Sequence, residues 1–221
     1  MNSNGKLLQK NTSRISKPMN GSATTAPAGE RRPYIVGIGG TVKPGSSTEQ
    51  ALEIALRAAG EQGAEVELFG GVFLAQLPHY GLPEGRTSEA AARLVLAMRK
   101  ADGLIIASPG YHGSISGLVK NAIDYTEDLV NDPRVYFDGL PVGLIATAYG
   151  WQATGSTLAA LRSIVHALRG WPTPLGAGIN CAGGVFKDGA CTQDAFTRQL
   201  QTVGQQVAAA VIRNSAFRAT A

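Results

Sequence analysis

The sequence predicts a doubly wound α/β domain: a parallel sheet with helices on both faces. Three observations carry that expectation. Short apolar runs alternate with longer amphipathic stretches from Tyr34 to Arg213. All but the second of these runs are apolar almost throughout, as strands covered on both faces must be. Glycine is abundant, 28 of 221 residues. It follows no Gly-X-Y period and gathers where the apolar runs end, where the backbone must turn or approach something closely.

The first strand is Tyr34-Ile-Val-Gly-Ile-Gly39. The loop Gly40 to Thr48 leads into a helix over Glu49–Glu61, with Leu52, Ala55, Leu56 and Ala59 on one face. Ser47 or Thr48 is its expected N-cap, and Gly63 ends it. Ala64 to Phe69 alternates and reads as the second strand, followed by a long loop from Gly70 to Arg86. Thr87 or Ser88 caps a helix running to Lys100. Gly103 to Ala107 is the third strand and Ser108 to Ser116 a loop. A helix follows from Gly117 to about Leu129, then a loop over Asn131 to Gly139. Val142 to Thr147 is the fourth strand, and Ala148 to Gly155 a third glycine-bearing loop. The helix Ser156 to Arg169 turns Leu158, Leu161, Val165 and Leu168 inward, and Leu175 to Ile179 is the fifth strand. A last helix, Thr192 to Arg213, carries Phe196, Leu200, Val203, Val207 and Val211 at core spacing.

Composition narrows the functional classes. Hydrophobic residues make up 44% of the chain and charged residues 16%, enough to build a core. No apolar run is long enough to span a membrane. The formal net charge is +4, but its distribution matters more than its total. Residues 1–33 hold Lys6, Lys10, Arg14, Lys17, Arg31 and Arg32 against Glu30 alone, so residues 34–221 are nearly neutral. That argues against a nucleic-acid-binding domain. The expected organisation is a disordered basic tail over 1–33 and one domain over 34–221. The tail has no apolar stretch of secretory type. Cys181 and Cys191 form no CxxC motif and have no His at zinc-ligand spacing. They read as reduced thiols of a cytoplasmic protein, and no metal site is expected.

Ligands of open parallel sheets sit beyond the carboxyl ends of the strands. The loop after the first strand is therefore the first candidate. A dinucleotide fingerprint fails there: Gly37 and Gly39 fit, but Val42 stands at the third glycine and no acidic residue ends the second strand. A triphosphate loop fails too, because Ser46 stands where GxxxxGK[ST] needs lysine. What remains is a set of hydroxyls at Thr41, Ser46, Ser47 and Thr48, a cation at Lys43, and free N–H groups at a helix start. Together they suit one phosphate group.

The loop after the third strand offers Pro109, Gly110, Tyr111, His112, Gly113 and Ser114. Pro and Gly shape a tight path with exposed amides, and Tyr111 adds a flat apolar face, a setting for a heteroaromatic ring. His112 has no orienting partner, so it is not expected to act as an acid or base. Ala148, Tyr149 and Gly150 follow the fourth strand. Trp151 beside them either covers the ring or packs at a subunit border. No Ser-His-Asp order and no HExxH motif appears.

The segment Ser108-Pro-Gly-Tyr-His-Gly-Ser-Ile-Ser-Gly-Leu-Val-Lys-Asn-Ala-Ile-Asp-Tyr125 resembles the signature of the NADPH-dependent FMN reductases, a flavodoxin-like family. Gly40 to Thr48 resembles its phosphate loop and Leu77-Pro-His-Tyr80 its second-loop proline segment. The family usually has Arg where Lys43 stands, and often Glu at Gly110 and Asn at His112. The resemblance implies a five-stranded sheet in the order 2-1-3-4-5. It implies FMN phosphate on Thr41, Lys43, Ser46, Ser47 and Thr48, with the ring against Pro109 to Ser114 and Ala148 to Gly150 closing the pocket. It implies an NAD(P)H oxidoreductase that passes a hydride to flavin N5 and on to a second acceptor, free FMN or another small molecule. No catalytic side chain is then required. A quinone, azo-dye or chromate reductase on the same scaffold is the alternative acceptor reading. An electron-carrier flavodoxin is a further one, disfavoured by the near-neutral body. Family members are commonly homodimers or homotetramers, and the same is expected here.

Overall fold

Strand β1 (Tyr34–Gly39) is central in a parallel sheet because its side chains are apolar on both faces: residues 36–39 are fully enclosed, as is Ile35. The computed structural model describes residues 31–187 and 189–220. Helix α1 (Ser47–Glu61) follows β1, then β2 (Glu65–Phe69), a one-turn helix α2 (Gly71–Leu74) and α3 (Glu89–Lys100). Next come β3 (Gly103–Tyr111), the short β4 (Ser114–Ile115), α4 (Gly117–Asp124) and β5 (Pro141–Ala148). The chain continues through α5 (Trp151–Ala167), β6 (Trp171–Asn180), the small hairpin β7 (Phe186–Lys187) and β8 (Ala190–Cys191), and α6 (Asp194–Thr220). The long strands stand in the order β2-β1-β3-β5-β6, all parallel, with β4 hydrogen-bonded to β3 alone. Counting only the long strands, this is the expected 2-1-3-4-5 order.

Each face of the sheet has its own core. Val36, Ile38, Leu104, Ile106, Val142 and Leu144 point to one side, against α3, α4 and α5. Ile35, Ile105, Ala107 and Ile145 point to the other, against α1 and α6. The period-two alternation of buried strands splits the apolar residues between the two layers. Leu52, Ala55, Leu56 and Ala59 of α1 lie fully buried, as do Leu200, Val203 and Val207 of α6.

Several elements depart from the sequence reading, each for a local reason. Ser46, not Ser47 or Thr48, caps α1; its backbone is extended and its Oγ accepts from the Glu49 N–H at 3.3 Å. Helix α5 starts at Trp151, five residues before the expected Ser156, because Gly150 supplies the N-cap turn. The third strand does not stop at Ala107 but runs to Tyr111 and folds back through β4. The fifth strand starts at Trp171, despite Pro172 and Pro174, because β6 is an edge where missing N–H groups are tolerated. Gln206 of α6 accepts from the next edge donor, the Leu175 N–H, at 3.0 Å. The helix expected from Gly117 to Leu129 becomes a 3-10 turn from Tyr125 onward.

Candidate functional site

The loops after β1, β3 and β5 emerge side by side, because these strands are adjacent in the sheet. The first loop ends at the α1 N-terminus, whose leading N–H groups have no intrahelical acceptor and favour negative charge. Thr41 Oγ1 accepts from the Lys43 N–H at 3.2 Å and so curls the loop. Lys43 is exposed, and among the described residues no carboxylate pairs with it. Ser46 Oγ is the helix cap and keeps its own proton to donate.

Ser47 and Thr48 are placed differently. Ser47 lies near the Cys181 thiol, whose Sγ–H donates to the Ile179 carbonyl at 3.7 Å. Burial pushes that thiol up from its ordinary pKa, and the nearby Ser47 hydroxyl offsets part of the rise. Thr48 is buried, and its Oγ1 lies 2.6 Å from Thr147 Oγ1 at the end of β5. Thr48 therefore contributes its backbone N–H to the loop, while its side chain ties α1 to β5.

The second loop is a two-residue hairpin. Gly110 pairs with Ile115 and Tyr111 with Ser114, leaving His112 and Gly113 as the central residues. Their φ values are 50° and 90°, the positive pair a type I′ turn demands. Tyr111 stands about half exposed at the hairpin's edge. Ser108, fully buried, accepts from the Ser116 N–H at 3.0 Å and donates to the Pro109 carbonyl, so the hairpin stem is fixed from inside. Ser116 in turn caps α4 through the Val119 N–H at 3.2 Å.

Gly110 has a steric reason. A Cβ there would lie 2.5 Å from Thr157 Oγ1 and 3.2 Å from the Ala153 carbonyl oxygen, so α5 packs where a side chain would go. The third loop holds Ala148 buried, Tyr149 82% exposed, and Gly150 at φ 117°. Trp151 is exposed and sits edge-on to Phe196 of α6, centroids 6.1 Å apart. The Ser46 hydroxyl, the Lys43 cation and the helix-start N–H groups thus lie at one end of the loop cluster, a donor set of the kind that holds anions. At the other end lie a flat exposed aromatic and glycine backbone with open space at Gly113 and Gly150. That combination fits a phosphorylated ribityl flavin.

Sequence reasoning missed four residues that hold these loops. Thr147 and Asn180 act from strand ends. Glu49 Oε2 accepts from the Gly71 N–H at 3.1 Å, drawing the loop after β2 against the first loop. Asn121 accepts from the Tyr80 N–H at 2.8 Å and donates to the Pro78 carbonyl at 3.0 Å, while the Tyr125 hydroxyl donates to the same carbonyl at 2.9 Å. The signature segment and the Leu77-Pro-His-Tyr80 segment are therefore two halves of one clamp. Polar residues at an otherwise apolar strand end, as at Thr147 and Asn180, were the available signal.

The family profile of the NADPH-dependent FMN reductases matches residues 33–182. An FMN-dependent NADPH-azoreductase of Staphylococcus saprophyticus is 33% identical over 144 residues, covering 62% of this chain and 71% of that protein. Among solved structures, a flavoenzyme NAD(P)H:(acceptor) oxidoreductase from Paracoccus denitrificans superposes with TM-score 0.63 at 18% identity, over 82% of this chain and 98% of that one. A WrbA-like flavodoxin from Agrobacterium tumefaciens does so with TM-score 0.56 at 15% identity, over 82% and 98%. These two likenesses establish the flavodoxin-like fold. The chain belongs to the NADPH-dependent FMN reductase family. It is an FMN-dependent oxidoreductase that uses NADPH, and among the described residues no helix is long and apolar enough to cross a membrane.

Proposed function

We propose that FMN binds across the three loops, with its phosphate at Thr41, Lys43, Ser46, Ser47 and Thr48 and its ring between Pro109–Ser114 and Ala148–Gly150. The observation that carries this reading is the α1 N-terminus, capped by Ser46, with exposed Lys43 beside it and no carboxylate paired with that lysine among the described residues, set next to the glycine-turned hairpin. Bound FMN supplies hydride acceptance from NADPH and electron delivery to a second acceptor. The chain's own part is placement. Ser46 and Lys43 hold the anion, with the N–H groups of Ser47 and Thr48 pointing at it. The hairpin and the third loop wall the ring on their sides, and Tyr149 and Trp151 border its open side. Among the described residues no acid–base pair converges there, and hydride transfer needs none.

The acceptor is a small molecule, free FMN or a planar quinone or azo compound. Exposed Tyr111, Tyr149 and Trp151 and the azoreductase relative favour the planar aromatic class. A homodimer or homotetramer is the expected assembly, and exposed Tyr149 and Trp151 at the site's border support a subunit edge there. A cytoplasmic location is supported by the need for NADPH and by the two free thiols. The test is steady-state NADPH oxidation by the purified, flavin-loaded chain with free FMN, a quinone, an azo dye and chromate in turn. Turnover with at least one of them, in parallel-line kinetics, is expected. No oxidation above the free-flavin background with any of them would overturn the reading.

A further inference from the structure

The third loop is held from a place that no sequence motif marks. Asn180 is the last residue of the edge strand β6 and pairs with Ala148 across the β5 register. Its Oδ1 accepts two backbone donors, the Gly150 N–H at 2.9 Å and the Ala182 N–H at 3.1 Å. The Cys181 N–H donates to the Ala148 carbonyl at 2.8 Å. On the other side of the same residue, in the next peptide unit, the Gly150 carbonyl accepts from Thr154 Oγ1 at 2.8 Å and from the Thr154 N–H at 3.1 Å. Gly150 sits at φ 117° and ψ 144°, a conformation closed to residues with a side chain.

Both backbone groups of Gly150 are thus pinned, and Ala148 before it is buried and paired. Only Tyr149 between them lacks such a tie. A loop of this kind is a fixed wall and not a flap that closes on its ligand. The two ties differ in origin. Thr154 belongs to α5 itself and moves with it, whereas Asn180 belongs to β6 and fixes the start of α5 relative to the sheet.

We infer that Asn180 is a positioning residue, whose carboxamide presets the backbone of Ala148–Gly150 against the flavin ring before the flavin arrives. The inference rests on the ring-loop assignment proposed above. Preorganisation of this kind raises affinity by removing the ordering cost from the binding step. A carboxylate in place of the carboxamide keeps both acceptor bonds. It also adds a negative charge at the helix start, beside the ring, which disfavours adding electrons to the flavin.

The test compares Asn180→Ala and Asn180→Asp with wild type, after checking that each unfolds cooperatively. Amide hydrogen exchange is read on the flavin-free protein; FMN affinity and the bound flavin's midpoint potential are read on the loaded one. In Asn180→Ala, protection of the Gly150 and Ala182 amides should fall, and FMN should bind about tenfold more weakly, the loss of roughly two neutral hydrogen bonds' worth of order. In Asn180→Asp, protection and affinity should stay near wild type while the potential becomes more negative. Protection and affinity both unchanged in Asn180→Ala would overturn the inference alone. Protection lost with affinity and potential unchanged in both variants would mean that the loop does not face the ring, overturning the loop assignment as well. If Asn180→Ala proves too unstable, Asn180→Asp decides by itself, since an unmoved potential refutes the placement.

Discussion

His112 occupies the first central position of a turn whose geometry demands positive φ, at 50°. Asparagine and glycine visit that region readily and other side chains at a cost of roughly 1–2 kcal/mol. The turn's backbone alone favours an Asn at this position over a His. His112→Asn should raise stability by a few tenths to about 1 kcal/mol and leave turnover within roughly tenfold. Denaturant unfolding and NADPH oxidation check both halves, and a thousandfold loss of rate with FMN still bound would make His112 catalytic. Ser46 carries two tasks, capping α1 and donating to phosphate. Ser46→Ala should cost about 1 kcal/mol of fold stability and weaken FMN more than riboflavin, read by unfolding and by flavin titration. Cys181 carries a thiol whose pKa burial raises, so its neutral form is the one the fold favours. A raised folded pKa gives a contribution complete below the unfolded thiol's pKa, roughly 8.5, and lost as pH climbs through the folded value. The native protein should therefore resist iodoacetamide at Cys181 near neutral pH, and its stability advantage over Cys181→Ala should shrink at alkaline pH. Fast alkylation of Cys181 in the native state at neutral pH would contradict this.

At the scale of elements, α1 and α6 pack backbone to backbone at Gly204. A Cβ on Gly204 would press into the backbone carbonyl of Ala55, which cannot yield as a side chain end can. Gly204→Ala should therefore destabilise by about 1–3 kcal/mol, seen as a lower denaturation midpoint with an unchanged slope. A neutral result would mean that the two helices slide apart freely. The core elements were legible in the sequence because burial on both faces leaves a dense apolar signature, as in β1 and β5, and because α6 repeats its core residues at helical spacing. The lengths of β3 and β6 were not legible. Pro109 and Gly110 look like loop residues, and Pro172 and Pro174 look like strand breakers, until the edge position and the β4 partner are known. The site divides along the same line. Residues on loops at strand ends could be proposed from their type alone: Lys43, Ser46 and the Tyr111–Ser114 turn. Thr147, Asn180, Glu49 and Asn121 act through partners distant in sequence, which spacing cannot reveal. The inward turn of Thr48 was hidden for the same reason, since Thr147 lies 99 positions away.

At the scale of the whole molecule, the expected basic tail over 1–33 divides at the start of the described residues. Residues 1–30 lie outside them. Arg31 pairs with Asp102 at 2.8 Å, and the Arg32 guanidinium donates to the Gly63 carbonyl at 2.9 Å. A chain beginning at Arg31 should match the full chain in thermal midpoint, FMN content and NADPH oxidation, because both surface ties remain. Beginning at Pro33 should cost no more than roughly 1 kcal/mol, the usual ceiling for exposed pairs. A shortened protein empty of flavin would show that residues 1–30 pack on the body. The central claim, that one site spans the three loops and grips the cofactor by its phosphate, is tested most directly by titrating the flavin-free protein with FMN and with riboflavin under the same conditions. FMN should bind at least about tenfold more tightly, a difference of roughly 1.4 kcal/mol, and Lys43→Ala should narrow that gap. Equal affinity for the two flavins would contradict the account.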